Sequence, residues 1–166
     1  MARISKTSAS FGRLQHRLWS ERSVRLNTKI QMYRTVVLST LLYGSETWTT
    51  YRPCLKNLEQ FHMRCLRKIC GVTWKDKFPN IKILRHCNIT NVESIIVLSQ
   101  LGWSGHVALM VDDRIPRALF FGQLEECRWS GRGQSGAKTS SKETLKACNI
   151  DPTTWIAEAV NRSRWR

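Results

Sequence analysis

Residues 53–71, PCLKNLEQFHMRCLRKICG, decide the fold. Stepping by about 100° per residue from Lys56 at 0° gathers Leu55, Leu58, Phe61, His62, Cys65, Leu66 and Ile69 between roughly 140° and 280°. Lys56, Arg64, Arg67 and Lys68 fall between about 0° and 120° on the same wheel. The stretch is therefore a helix with one face for a core and a basic ridge on the other. Pro53 suits the first turn, where its missing N–H leaves nothing unpaired, and Gly71 suits the left-handed C-terminal cap.

The same periodicity extends to both sides. Ile4, Phe11, Leu14 and Leu18 share one helical face over residues 2–20, with Arg3, Lys6, Arg13 and Arg17 mostly on others. Asn27-Thr28 can cap a second helix whose Ile30, Tyr33, Val37, Leu41 and Tyr43 form the buried side. Its β-branched tail, Val36 to Leu42, is compatible with a strand, but it continues a helical pattern and is read as helix. Downstream, Pro79 can start a short helix through Ile81, Leu84 and Cys87. Asn91 can cap a helix carrying Val92, Ile95, Ile96, Leu98, Leu101 and Val107, with Gly102 and Gly105 weakening its end. Pro116 opens another through Ala118, Leu119 and Phe120. Residues 129–141, WSGRGQSGAKTSS, form a Gly/Ser-rich basic loop expected to be flexible. Two short helices follow, at about Lys142 to Cys148 and after Asp151-Pro152.

The fold class expected is all-α: a small irregular helical bundle, then further short helices and the flexible loop. Four regions are expected, with residues 1–78 a basic helical part, 79–128 a helical connector, 129–141 the loop and 142–166 the C-terminal helices.

Charge is uneven along the chain. The formal net charge is +15 over 166 residues. Residues 1–86 carry 17 Lys and Arg against 4 acids, whereas residues 87–166 carry 10 against 8. Clustered cations gain free energy by releasing counterions from a phosphate backbone, so a polyanion partner is expected on the N-terminal half. Surface helices normally mix both signs, yet only Glu59 interrupts the basic content between Lys56 and Lys75. No apolar stretch is long enough for a membrane span, and the start lacks a signal-peptide core. The start is basic and free of acids up to Glu21, as a mitochondrial presequence is, but its arginines continue past any plausible cleavage point. Six cysteines without tight spacing read as reduced thiols of an intracellular protein, compatible with the nucleus.

Several segments occur in an order that resembles a known family. These are SFGRLQHRLW (10–19), TKIQMYRTVVLSTLLYGSETWT (28–49), LEQFHMRCLRKICGVTWKDK (58–77), NVESIIVLSQLGWSGHVALMVDDRIPRALFFGQL (91–124) and LKACNIDPTTW (145–155). Together they resemble the C-terminal part of the reverse transcriptase polyprotein of LINE-type, non-LTR retrotransposons. The resemblance implies that residues 10–77 correspond to a helical thumb that grips a primer–template duplex, and 91–166 to the connector beyond it. It implies a partner of RNA–DNA hybrid or duplex held without regard to sequence, and the fingers and palm of a parent RNA-directed DNA polymerase as a second partner. The fingers, palm and upstream endonuclease of the family have no counterpart in these residues, nor does its zinc knuckle, so a non-catalytic fragment is expected.

Local chemistry agrees with that expectation. Met110-Val111-Asp112-Asp113 looks superficially like a metal-binding Asp-Asp box, but it lacks the leading aromatic, the hairpin and a third carboxylate. His62, Cys65 and Cys70 are close in sequence, yet two lie on the apolar face and no paired Cys motif accompanies them. His106 stands without a nucleophile motif. The seven tryptophans mostly sit at element ends, where anchoring helices is a commoner role than stacking on bases. No cofactor, metal or catalytic residue is expected. The phosphate contacts expected are Arg13, Arg17, Lys56, Arg64, Arg67, Lys68, Lys75 and Lys77. The rival expectation is a helical protein-interaction or self-association module, built on the near-uncharged helix within 87–113 and without a nucleic-acid partner.

Overall fold

Tyr51, in an extended conformation, and Gly71, at φ +67°, bound the longest helix of the chain, Arg52–Cys70. Pro53 lies in its first turn, and beyond its end Val72 N–H returns to Arg67 O while Gly71 N–H returns to Lys68 O. That pairing satisfies carbonyls the helix end would otherwise leave open. The computed structural model describes residues 2–49, 51–111, 113–121, 144–146, 148–151 and 154–160, and among these every regular element is helical. The main α-helices are α1 (Ala2–Arg13), α2 (Leu26–Met32), α3 (Ser39–Leu42), α4 (Arg52–Cys70), α5 (Asn80–His86), α6 (Val92–Ala108), α7 (Ile115–Phe121) and α8 (Trp155–Val160). The all-α expectation holds.

The chain forms two compact units, residues 1–43 with 51–95, and residues 44–50 with 96–166. In the first, α1 packs on α3, and α4 packs on α1, α2 and α5. Phe11, Trp19, Ile30, Tyr33, Val37, Leu41, Leu58, Phe61, Leu66, Ile69, Ile83 and Val92 are buried there. A π-helical turn, Gln15–Trp19, swings Trp19 back so that its ring stacks on Phe11 at 5.0 Å and its indole N–H donates to Phe11 O at 2.9 Å. A second π-helical segment, Tyr33–Leu38, joins α2 to α3, so Leu26 to Leu42 is one helical run. Val36 to Leu42 is thus helical and not a strand. Residues 79–95, read from sequence as the start of a connector, belong to this first unit.

Four expectations about individual positions fail. Arg25, extended and without a side-chain cap, precedes α2, so Asn27 and Thr28 lie inside its first turn. Tyr43 is 77% exposed, because the helical run stops at Leu42 and leaves its side chain outside the packed face. Ile81 and Leu98 are also exposed, while Ile83, two positions from Ile81, supplies the contact to the core. In the opposite direction, Lys29 is buried, with Nζ donating to Trp19 O at 3.0 Å.

The second unit is built on the later turns of α6. Asn91 Oδ1 accepts Ser94 N–H at 2.9 Å at the start of this helix, as a cap should, and the helix runs through Gly102 and Gly105 to Ala108. Val107, Ala108, Phe120, Leu145, Trp155 and Ala159 form the core of this unit, with Phe120 edge-on to Trp103 and to Trp155. Gln100 Nε2 donates to Trp48 O at 2.9 Å and to Ser45 O at 3.4 Å, while its Oε1 accepts Thr144 Oγ1–H at 3.2 Å. The amide thus ties residues 44–50 to α6. The helix expected at Lys142 to Cys148 is seen at Thr144–Lys146, and α8 follows Asp151, whose carbonyl accepts Trp155 N–H. The loop 129–141, Asp112 and Pro152 lie outside the described residues. No helix among the described residues is long and apolar enough to cross a membrane.

Candidate nucleic-acid interface

The basic side of α4 floors a groove of about 1440 Å³ in the first unit. Arg52, Lys56, Arg64 and Arg67 line it from α4, Lys77 and Phe78 from the segment before α5, and Asn80 and Leu84 from α5 itself. Glu59 and Glu93 are the acids on its lining. Two tethers hold the far wall to α4. Arg67 Nη2 donates to Asn80 Oδ1 at 2.6 Å and to Phe78 O at 3.4 Å, and Glu59 Oε2 accepts Val92 N–H at 2.8 Å.

These tethers explain one departure from the helical wheel. Met63 lies at about 340°, between Glu59 at about 300° and Arg67 at about 20°, outside the apolar arc of roughly 140° to 280°. It is nevertheless buried. Residues 73–93 return along that side, so part of the ridge is roofed and the exposed cations sit beside the roof. Glu59 is spent on the first turn of α6, where a carboxylate stabilises the positive helix terminus. A groove lined by five cations is left with one acid, Glu93, beyond that committed pair.

The eight residues singled out from sequence separate accordingly. Lys56, Arg64, Arg67 and Lys77 come together on the groove, and Arg52 joins them. Lys68 and Lys75 are exposed outside its lining, and Arg13 and Arg17 are exposed on α1 and the π-helical turn that follows it. Arg52 was missed because it precedes Pro53, yet at about 320° it continues the Lys56 side by one turn. Lys77 stands in a left-handed conformation at φ +46°. The neighbouring turn is closed by Asp76, which accepts both the hydroxyl and the backbone N–H of Thr73 at 2.7 Å, and these bonds lower its pKa.

His62, Cys65 and Cys70, weighed as a metal site, are engaged in packing. His62 Nδ1 is paired with the Tyr33 hydroxyl at 2.8 Å, and its ring is wholly buried. Burial pushes its pKa down to about 4, with the Thr90 backbone opposing the shift. Burial likewise raises the Cys65 thiol to about 12, despite Arg64 and Lys68 nearby. Cys70 faces Cys87, Sγ to Sγ 3.2 Å, rather than His62. Among the described residues no three His, Cys, Asp or Glu side chains gather as a metal site. His106 is exposed, Met110 follows the end of α6 in a turn, and Trp19 and Trp155 are buried anchors.

Comparison with known proteins shows a distant likeness. The chain is 25% identical over 147 residues to an uncharacterized transposon-derived protein of Caenorhabditis elegans. The match covers 82% of this chain and 52% of that protein, so the chain spans about half the length of the curated relative it matches. It is similar to a transposon-derived protein. No family model and no solved structure matches it.

Proposed function

We propose that this chain is a non-catalytic part of a retrotransposon reverse transcriptase, gripping a nucleic-acid duplex through the basic groove on α4. The observation that carries the proposal is the lining itself. Arg52, Lys56, Arg64, Arg67 and Lys77 converge on one open groove, where the α4 acid is already bonded to Val92 N–H. From Lys56 to Arg67 the helix rises about 16 Å, enough to follow several successive phosphates of one strand. Cations on a rigid helix can track a backbone without reading bases, as a polymerase requires for templates of any sequence. Similarity to a transposon-derived protein and the order of segments noted above support the same origin.

Fluorescence anisotropy with a short RNA–DNA hybrid and a DNA duplex, titrated across a salt series, tests it. Affinity should fall steeply as salt rises, with little dependence on sequence. Equal affinity at low and high salt, or no change on reversing Lys56, Arg64, Arg67 and Lys68 together, removes the basis for the proposal.

A second reading, a helical interaction module without a nucleic-acid partner, is favoured by the exposure of Leu98, Val111 and Ile115 in the second unit. Its signature is a mass that grows with concentration in a chain that binds no nucleic acid.

A further inference from the structure

Cys70 ends α4 and Cys87 follows α5, and their sulfurs approach to 3.2 Å. We propose that this pair is a redox-sensitive clamp, in which a peroxide converts the two thiols to a disulfide that joins α4 to α5.

The two sulfurs are unequal, and that sets the order of events. Cys70 is half-buried, so an oxidant can reach it, whereas Cys87 is 4% exposed. The hydrogen bond from the Cys87 S–H lowers the Cys70 pKa, and the same bond, with burial, raises that of Cys87. The more accessible sulfur is also the better source of thiolate, the reactive form. Cys70 Sγ attacks one oxygen of the peroxide, the O–O bond breaks, and Cys70 becomes a sulfenic acid while its proton leaves with the second oxygen as water. Cys87 Sγ then attacks the Cys70 sulfur, the S–O bond breaks, and the departing hydroxide takes the Cys87 proton as a second water. Two thiols have lost two electrons, and one hydrogen peroxide has become two waters.

The approach required is small. A disulfide needs its sulfurs at about 2.05 Å, so closing the gap asks for a movement of little more than 1 Å. α4 and α5 are already packed together, and the bond from Arg67 to Asn80 holds the start of α5 near the last turns of α4. The other thiols among the described residues differ. Cys65 is buried with its pKa raised to about 12, and Cys54 and Cys148 are exposed.

The test uses the full chain carrying Cys54→Ser, Cys127→Ser and Cys148→Ser, which leaves Cys65, Cys70 and Cys87. After mild hydrogen peroxide, peptide mapping should show Cys70 linked to Cys87, both closed to alkylation until dithiothreitol is added. The oxidised chain should melt about 5 °C higher, because the bond restricts the unfolded state. In the Cys87→Ser variant, with helix content checked by circular dichroism, Cys70 should stop at a sulfenic acid that dimedone traps. Should that variant not fold, the parent's peptide map and melting shift decide the matter. Cys70 and Cys87 both remaining open to alkylation, a link through Cys65, or a melting temperature unmoved by oxidation overturns the clamp.

Discussion

The Tyr33 hydroxyl lies 2.8 Å from Nδ1 of His62, and both side chains are wholly enclosed. This bond joins the π-helical segment after α2 to the middle of α4, and it holds the imidazole of His62 wholly inside the core of the first unit. A neutral imidazole tolerates that position far better than a charged one, which is why its pKa falls from 6.5 to about 4. In the unfolded chain the group takes up a proton near pH 6.5, while the folded chain resists until about pH 4. Stability is therefore full above pH 6.5 and declines as pH falls towards 4, by about 3 kcal/mol in all. Chemical denaturation across that range should show the decline, and His62→Leu should flatten it. A slope that persists in the variant assigns it to other groups.

Removing the hydroxyl tests the same bond at neutral pH. Tyr33→Phe preserves the ring but leaves Nδ1 of His62 with no partner in a closed interior. The expected loss is about 1–3 kcal/mol, read from urea midpoints. A change within a few tenths would mean that the bond is worth nothing net.

Charge reversals should separate the groove from the rest of the basic surface. Lys56→Glu and Arg64→Glu alter cations on the groove lining, whereas Arg13→Glu and Arg17→Glu alter cations away from it. Each groove cation removed should reduce the slope of log affinity against log salt by about 1, and the changes at Arg13 and Arg17 should leave it nearly untouched. Equal effects from both pairs would show that net charge matters and the groove does not.

Glu59 links stability to binding with opposite signs. Its carboxylate accepts Val92 N–H and also adds negative charge to the groove. Glu59→Gln can keep the hydrogen bond but not the charge, so it should cost about 0.5–1 kcal/mol of stability. The same change should tighten duplex binding at low salt. Weaker binding by a folded variant would place the nucleic acid elsewhere.

Gly71 provides a purely conformational prediction. At φ +67° an added Cβ meets no atom within 4 Å, so Gly71→Ala carries backbone strain without a clash. It should lower stability by about 1–2 kcal/mol, and Gly71→Asn by less, since Asn enters this region more readily. Thermal melts of the two variants give the comparison.

What could be read from sequence follows what is local. The bounds of α4, its apolar face and the Asn91 cap each depend on residues a few positions apart, and each was legible. Met63 was not, because its burial is caused by the return of residues 73–93 along the basic side. Lys29 was missed for a related reason: a cation normally marks solvent, and its partner is a carbonyl exposed by the π-helical turn ending at Trp19. Four of the groove cations were singled out from charge alone. Their separation from Arg13, Arg17, Lys68 and Lys75 depends on the path of the chain after Gly71, which no periodicity encodes.

The two bonds from the Gln100 side chain to Ser45 and Trp48 carry a consequence for the order of folding. Residues 44–50 are synthesised before all of α4, yet the amide that receives their carbonyls lies far downstream on α6. That short stretch must wait, solvated by water, while the intervening helices emerge and pack. A piece cut to begin at residue 96 would keep the amide but not those carbonyls. The second unit has no contiguous gene segment of its own, and any attempt to express it alone must begin by carrying about half of the first.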